Sequence, residues 1–202
     1  MFAVVALLVT LLLSPAYAFE PQGSALARRA IDQCDAVPDH PSPENLQAVS
    51  QALELAEQAV HSDPNDATAH FAVFCNLAKQ TALRGFSLQN LLSLHRLHTE
   101  IDTALKLAPD YGDALIAKGA FLLHLPRLLG GDVHEAERLL RHAIELEPQR
   151  ISARLYYAQA LEELGFRSEA QRQAQGALSL AMSAGRDEQA EEARSLLAHL
   201  AK

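Results

Sequence analysis

Residues 136–177 read AERLLRHAIELEPQRISARLYYAQALEELGFRSEAQRQAQGA and contain two copies of one helical pattern. At both ends of this stretch, small or apolar residues recur at intervals of four and then three, which places them on one face of an α-helix. The first face ends at Ala143 and the second at Ala177, so the unit repeats after 34 residues. A period of this length is typical of stacked helix pairs.

The same helical face appears twice more upstream. In three of the four copies a proline follows the last alanine by five residues and marks the end of the helix, since proline cannot continue it. The three pairs are Ala59/Pro64, Ala104/Pro109 and Ala143/Pro148. We expect these alanines to be buried where paired helices meet, and Glu147 to lie on the solvent face of its helix.

This periodicity predicts an all-α protein, a right-handed α-solenoid of helix pairs with a C-terminal capping helix. The predicted pairs cover residues 24–64, 66–109, 113–148 and 151–182, and the cap covers 187–201. One apolar stripe of the cap consists of Ala190, Ala193, Leu197 and Leu200. Such a cap is needed because the last repeat would otherwise expose its own apolar face.

The amino-terminal residues have the features of a signal peptide. Residues 2–13 form an apolar run, and Ala16-Tyr17-Ala18 follows as an A-x-A cleavage site. The run is shorter than the roughly 20 residues of a membrane span. No Lys or Arg precedes it, which leaves an uncleaved membrane anchor as the alternative. We predict that residues 1–18 are removed, that residues 19–202 form a single domain, and that the protein is periplasmic or secreted without a lipid-anchor cysteine.

Composition and motifs argue against several classes of function. The net charge of −8 disfavours nucleic acid as a partner, because phosphate contacts need clustered Lys and Arg. The sequence has no phosphate loop, no dinucleotide fingerprint and no His-Glu-x-x-His zinc motif. His95 and His98 stand three residues apart without further ligands at familiar spacing, so we interpret them as a solvated pair. We predict no catalytic residue, no metal and no cofactor, and hence a binding protein rather than an enzyme.

The two cysteines, Cys34 and Cys75, fall on helices that should be neighbours. In an oxidising compartment such a pair can form a disulfide. The interpretation we favour is two separate buried thiols that act as small apolar residues.

Two of the predicted pairs exceed the standard period, and both insertions lie between the first and the second helix of the pair. In the second pair, the apolar spacing predicts a long second helix over 88–107. The insertions add six leucines. Three explanations are open: the leucines cover one another, they line a pocket, or they meet a partner. We expect that they cover one another. The six are Leu88, Leu91, Leu92, Leu125, Leu128 and Leu129.

The insertion in the third pair reads LPRLLGGD, residues 125–132, and we interpret it as a structural turn. Pro126 interrupts the helix, and either Gly130 or Gly131 takes a positive φ to reverse the chain. Asp132 then caps the next helix, with Glu135 placed to complete a capping box. Anion binding by the backbone amides of this turn is the alternative.

Together these features resemble the tetratricopeptide repeat, and residues 152–181 match its residue classes best. A narrower resemblance rests on the long second pair, the LPRLLGGD turn and the AERxLxxAIELxP helix after it. These features are similar to the T-component (TatT-like) family of periplasmic TRAP transporters. The resemblance, over residues 66–182, implies a helical-repeat protein with a central channel or groove. It also implies that the protein works beside a substrate-binding protein and can form an oligomer.

We expect the protein to bind a protein partner in the concave groove formed by the first helices of the pairs. The alternative is a T-component-like accessory protein that binds a small apolar or organic-acid ligand in a channel. Either function allows a homo-oligomer, and contact with a membrane is expected only through an uncleaved signal. The helical period places eight residues on the side expected to line the groove: Val73, Asn76, Ile116, Ala120, His124, Leu155, Gln159 and Glu163.

Overall fold

The structure is a computed structural model that describes residues 24–85 and 88–202, with the backbone alone for residues 88–92. Within these ranges the chain is helical and contains no strand. The helices are α1 (Ala25–Ala36), α2 (Pro43–Ser62), α3 (Ala67–Arg84), α4 (Leu88–Leu107), α5 (Gly112–His124), α6 (Val133–Leu146), α7 (Ile151–Glu163), α8 (Arg167–Ser183) and α9 (Asp187–Leu200), with a 3-10 turn (Arg127–Leu129) between α5 and α6. None of the described helices is long and apolar enough to cross a bilayer. The predicted signal peptide, residues 1–18, and the predicted packing of Leu88, Leu91 and Leu92 lie outside the described part of the chain.

The helices pack as consecutive pairs, which confirms the predicted all-α repeat architecture. The helix α1 packs against both α2 and α3, the helix α5 packs against α6 and α7, and α9 closes the stack against α7 and α8. The long second helix of the second pair runs over Leu88–Leu107, as the apolar spacing predicts.

The alanine faces lie where the helices of each pair meet. Ala59, Ala104, Ala143 and Ala177 are all 0% exposed, so the prediction that the closing alanines are buried is confirmed. A methyl side chain lets two helix backbones approach closely. At Gly119 on α5 the two helices are closer still, because even a Cβ there would lie 2.6 Å from Cγ of Leu140 on α6.

The prediction that Glu147 faces solvent is wrong. Glu147 is the C-cap of α6, where the chain leaves the helix, and its side chain is 23% exposed. The carboxylate turns back beneath the start of α5, where a Cβ on Gly112 would overlap it. It pairs with Arg150, whose Nε lies 3.3 Å from Oε2. The residue therefore joins the end of α6 to the turn before α7.

Asp66 ties the starts of two first helices together. One carboxylate oxygen caps α3 by accepting hydrogen bonds from the backbone amides of Thr68 and Ala69. The other accepts a hydrogen bond of 2.8 Å from the amide of Ser24, which is itself the N-cap of α1. One carboxylate thus satisfies amide groups of two helices that would otherwise lack partners.

A buried histidine joins α3 to α4, and nothing in the sequence pattern predicts it. His70 is 9% exposed; its Nδ1 lies 2.7 Å from Oε2 of Glu100, and its Nε2 lies 3.0 Å from the carbonyl oxygen of Pro64. Both ring nitrogens face acceptors, so the protonated ring donates to both. The contact with Glu100 is the main cause of a raised His70 pKa, and the Pro64 carbonyl adds to it against the opposing effect of burial.

The capping helix α9 is held by its last carbonyl as well as by its apolar stripe. Ala190, Ala193 and Leu200 are buried against the preceding pair. The carbonyl oxygen of Leu200 accepts hydrogen bonds from Nε of Arg167, at 2.7 Å, and from Nε2 of Gln171, at 2.9 Å. These bonds satisfy a helix end that has no intrahelical partner.

The two cysteines lie next to each other without a disulfide bond. Cys34 is buried on α1, Cys75 is half-buried on α3, and no disulfide joins them. The thiols are within hydrogen-bonding contact, so the expectation of two separate thiols is wrong in that respect. The contact with Cys34, followed by burial, raises the pKa of Cys75 well above its ordinary value.

Candidate functional site

An apolar cleft opens between the first helices of the second and third pairs. It has a volume of about 280 Å³, and its lining comes from α3, from α5 and from the first residue of the turn after α5. The lining residues are Phe74, Ala78, Ala117, Ala120, Phe121, His124 and Leu125. Small side chains form one part of the lining and aromatic rings the other, so the cleft is a hollow with a rigid wall.

The aromatic wall is fixed from behind by a histidine. The rings of Phe74 and Phe121 meet edge to face, with centroids 5.5 Å apart. His98 on α4 packs against Phe121 with ring centroids 4.9 Å apart, and is half-buried. His95 is exposed, so the two histidines do not form the solvated pair predicted from their spacing. His98 instead supports the wall of the cleft.

The turn after Leu125 closes one end of the cleft by backbone hydrogen bonds. The carbonyl oxygen of Pro126 accepts hydrogen bonds from the amides of Leu129, at 2.8 Å, and Gly131, at 3.1 Å. Gly130 has φ +98°, a conformation that favours glycine. Gly131 has no room for a side chain, because a Cβ there would overlap the carbonyl group of Leu125.

Asp132 caps the helix that follows this turn, α6. Its Oδ1 accepts hydrogen bonds from the amides of His134 and Glu135, at 3.0 and 3.1 Å. The predicted capping box is not formed, because the Glu135 carboxylate pairs with Arg138 and the Asp132 amide donates to the carbonyl of Leu122. The first turn of α6 is therefore capped by the side chain of Asp132, without the reciprocal hydrogen bond from Glu135.

The eight predicted groove residues fall into two sets of four. Val73, Asn76, Ile116 and Leu155 are between 0% and 7% exposed, lie between helices and do not line the cleft. Asn76 donates hydrogen bonds to the carbonyls of Ala30 and Ala72, which ties α3 to α1. The accessible four are Ala120, His124, Gln159 and Glu163, and Ala120 and His124 line the cleft. A binding role for these four stays a prediction.

The six extra leucines do not share one environment. Leu125 lines the cleft and Leu129 is half-buried, whereas Leu128 is 98% exposed at the tip of the turn. The expectation that the leucines cover one another is therefore wrong for Leu128. A single exposed leucine is common on soluble proteins and does not by itself mark an interface.

The surface next to the cleft is polar and negative. The rings of His124 and Tyr156 meet edge to face at 5.9 Å, which connects the cleft to α7. Burial, then Glu192 and then Asp39 raise the pKa of Tyr156, so the phenol stays neutral near neutral pH. Burial, followed by Glu188, raises the pKa of Glu192. Burial is the main cause of both pKa shifts, and the carboxylates of Glu188, Glu192 and Asp39 add to it, so negative charge lies near Tyr156.

Sequence reasoning missed the two phenylalanines, although one signal was present. The eighth residue is Gly119 in α5 and Ala158 in α7, where a small side chain lets the paired helix approach. In α3 the eighth residue is Phe74. A large ring at a position that is small in α5 and α7 marks the place where the cleft opens.

Elsewhere in the described chain, the surface has larger hollows with mostly polar linings. One of about 620 Å³ lies between the turn before α7 and the start of α9, and it is lined by Gln149–Ser152 and Gly185–Gln189. Residues 24–85 and 88–202 bring no group of three His, Cys, Asp or Glu side chains into an arrangement that could hold a metal ion. The apolar cleft is therefore the candidate site.

Comparison with known proteins supports the fold of this chain and does not identify its family or its function. No protein-family model matches the sequence, and no curated protein is similar to it. Solved structures do match. MamA from Desulfovibrio magneticus RS-1 has 17% identity and a TM-score of 0.54, over 88% of this chain and 94% of that one. MamA AMB-1 has 21% identity and a TM-score of 0.53, over 88% and 96%.

A third similar structure is YrrB, a TPR protein with an unusual peptide-binding site. It has 17% identity and a TM-score of 0.50, over 88% of this chain and 91% of YrrB. The chain has the fold of a tetratricopeptide-like repeat protein. This confirms the broad resemblance predicted from the helical period.

Proposed function

We propose that this protein is a non-enzymatic binding module that holds an extended segment of a partner protein in the cleft between α3 and α5. The observation that carries the proposal is the open apolar hollow of about 280 Å³, which is lined by the half-buried Phe121 and by the buried Phe74. An apolar hollow open to water marks a binding site, because water is displaced favourably from it.

The geometry suits a peptide chain. Ala78, Ala117 and Ala120 have small side chains, so a bound backbone can approach the helices closely, while the aromatic wall offers a pocket for one bulky side chain. The peptide-binding site of YrrB, on a similar fold, supports this mode of binding. We further propose, from the apolar run over residues 2–13 and Ala16-Tyr17-Ala18, that the protein is exported and meets its partner outside the cytoplasm.

A small apolar molecule is the second candidate occupant, as in a TRAP T-component-like accessory protein. Six of the seven residues that line the cleft are apolar, and only His124 adds a polar ring. The volume of the cleft lies near the lower end, about 300 Å³, of pockets that hold small molecules. The cleft is open along one side, which favours a chain that continues beyond it over a fully enclosed ligand.

A selection experiment tests the proposal. The purified protein is used to select from a library of random 12-residue peptides displayed on phage, and the affinity of the selected peptides is measured by fluorescence anisotropy. Ala120→Arg fills the cleft with a long charged side chain, whereas Ala184→Arg places the same side chain at the exposed C-cap of α8. We expect the first change to abolish binding and the second to preserve it.

Two results would overturn the proposal. One is a failure to select any peptide, and the other is a set of peptides that bind the Ala120→Arg protein as well as the original. In either case, an apolar fluorescent dye such as 1-anilinonaphthalene-8-sulfonate distinguishes the second candidate. Dye binding that is lost in Ala120→Arg and retained in Ala184→Arg would favour a small-molecule site.

A further inference from the structure

The chemistry of the occupant can be inferred from the helices beside the cleft, and this inference rests on the proposed function. The sixth, ninth and thirteenth residues of α5 are Ala117, Ala120 and His124, and all three line the cleft. The equivalent residues of α7 and α9 continue the same face of the stack, because α5 packs against α7 and α7 packs against α9. We call this continuation the inner row: Tyr156, Gln159, Glu163, Glu192, Ser195 and His199.

A contact between the two helices supports this register. His199, the thirteenth residue of α9, has its Nε2 3.1 Å from Oε1 of Glu162, which stands beside Glu163, the thirteenth residue of α7. At the other end of the row, the His124 ring touches Tyr156. The inner row is therefore continuous with the cleft.

The inner row carries negative charge without a basic residue to neutralise it. Glu163 is exposed, Glu192 is exposed, and neither has an ion-pair partner among the described residues. The six positions contain neither Lys nor Arg. A third carboxylate, Asp39, also acts on Tyr156, but its side chain is paired with Lys79, the residue after Ala78 of the cleft.

We infer that the bound segment carries a bulky apolar side chain for the cleft and, further along, a Lys or Arg for the inner row. The apolar side chain fills the hollow beside Phe121, which Phe74 also lines. The basic side chain lies over Tyr156, where the ring face attracts a cation, and its charge is met by Glu192 and Glu163. The complementarity of one apolar and one negative region sets both the orientation and the register of the segment.

The spacing of the two side chains follows from the helix packing. Adjacent helices lie about 8–10 Å apart, so the row on α7 lies about 10 Å from the cleft and the row on α9 about 20 Å from it. An extended chain advances about 3.3 Å per residue. The basic residue should therefore stand about three to six residues from the apolar one.

The phage selection described above gives the test, with the sequences of the selected peptides as the first measurement. We expect a bulky apolar residue and a Lys or Arg about three to six positions apart, and few acidic residues. The double variant with Glu163→Gln and Glu192→Gln should bind the selected peptides about three- to tenfold more weakly than the original protein, and this difference should be smaller at high salt. Both positions are exposed, so the double variant keeps its fold.

Glu191→Gln is the matched control. Glu191 is adjacent to Glu192 in sequence and is also exposed, but it pairs with Arg194 at 3.0 Å and lies outside the inner row. Its replacement changes the net charge by the same amount per site and should leave the affinity unchanged.

The outcomes separate this inference from the proposed function. Peptides that lose binding to Ala120→Arg but carry acidic or no charged residues would overturn the inference and leave the cleft as the binding site. Acidic peptides that lose binding to Arg127→Ala would overturn it in favour of the exposed cation at the turn after α5. Equal effects of the double variant and of Glu191→Gln would also overturn it, whereas peptides indifferent to Ala120→Arg would overturn the proposed function itself.

Discussion

The buried His70–Glu100 pair should make the stability of the protein depend on pH, and His70→Ala isolates this effect. In the folded protein the ring donates to the Glu100 carboxylate at 2.7 Å and to the Pro64 carbonyl at 3.0 Å, and the two side chains are 11% and 15% exposed. A hydrogen bond to a charged group contributes about 1.5–3 kcal/mol. Arg96 lies 3.6 Å from the other oxygen of Glu100 and remains as a partner in the variant. We therefore expect His70→Ala to lower the free energy of unfolding by about 2–3 kcal/mol near pH 6.

The sign of the pH dependence follows from the direction of the pKa shift. The folded state raises the pKa of His70 above its ordinary value of 6.5, so the folded protein holds this proton more tightly than the unfolded chain. The stabilisation is fully present below about pH 6.5 and is lost as the pH rises through the folded-state pKa. The difference between the original protein and His70→Ala should therefore be larger near pH 6 than near pH 9.

Urea unfolding of both proteins across this pH range is the assay, and His142→Ala is the control. His142 lies 2.8 Å from the carboxylate of Asp110, but the two side chains are 37% and 54% exposed. Solvent screens such a pair, so its loss should change the free energy of unfolding by under about 0.5 kcal/mol. If the difference in free energy of unfolding between the original protein and His70→Ala stays constant with pH, or grows as the pH rises, the His70 ring does not donate hydrogen bonds from both nitrogens in the folded protein.

Three further predictions concern the scaffold. Ala143→Glu should lower the free energy of unfolding by roughly 3 kcal/mol or more, because it buries an unpaired charge. The same change at the exposed Ala198 should cost under about 0.5 kcal/mol. Equal melting temperatures for the two variants would contradict the helix pairing. In the turn after α5, Asp132→Ala removes a helix cap and should lower the free energy of unfolding by about 0.5–2 kcal/mol. Gly131→Ala should lower it by more, because the added Cβ would overlap the carbonyl group of Leu125. Urea unfolding that shows the reverse order would argue against this close approach. Because its pKa is raised, Cys75 should react with iodoacetamide near pH 7 far more slowly in the folded protein than in urea, and mass spectrometry showing equal rates would contradict the thiol contact.

The fold could be predicted because it depends on a property that the sequence repeats. The alanine faces recur at fixed offsets, and a buried methyl group at each offset decides where the paired helix lies. Ala143 and Ala177 show this clearly, since both are 0% exposed. The bounds of α4 follow for the same reason, because the apolar positions continue at helical spacing over Leu88–Leu107.

The site was harder to predict because it forms where the repeat breaks down. A helical period assigns a face to each residue of an isolated first helix, but it does not say which neighbours cover that face. Val73 and Asn76 are buried because α1 and α2 both pack against α3. Phe74 replaces the small residue that keeps the other pairs tight, and the cleft opens beside it. Contacts such as His70 with Glu100 join residues 30 positions apart, and no local pattern shows them.

Nuclear magnetic resonance can show directly whether a peptide binds in the cleft between α3 and α5. Amide chemical shifts of the labelled protein are followed while a selected 12-residue peptide is added. We expect the largest changes at Ala78, Ala117, Ala120 and Phe121, with smaller changes continuing to Tyr156. Changes confined to the outer helices α2 and α8, or to the hollow at Gln149–Ser152, would contradict binding in the cleft.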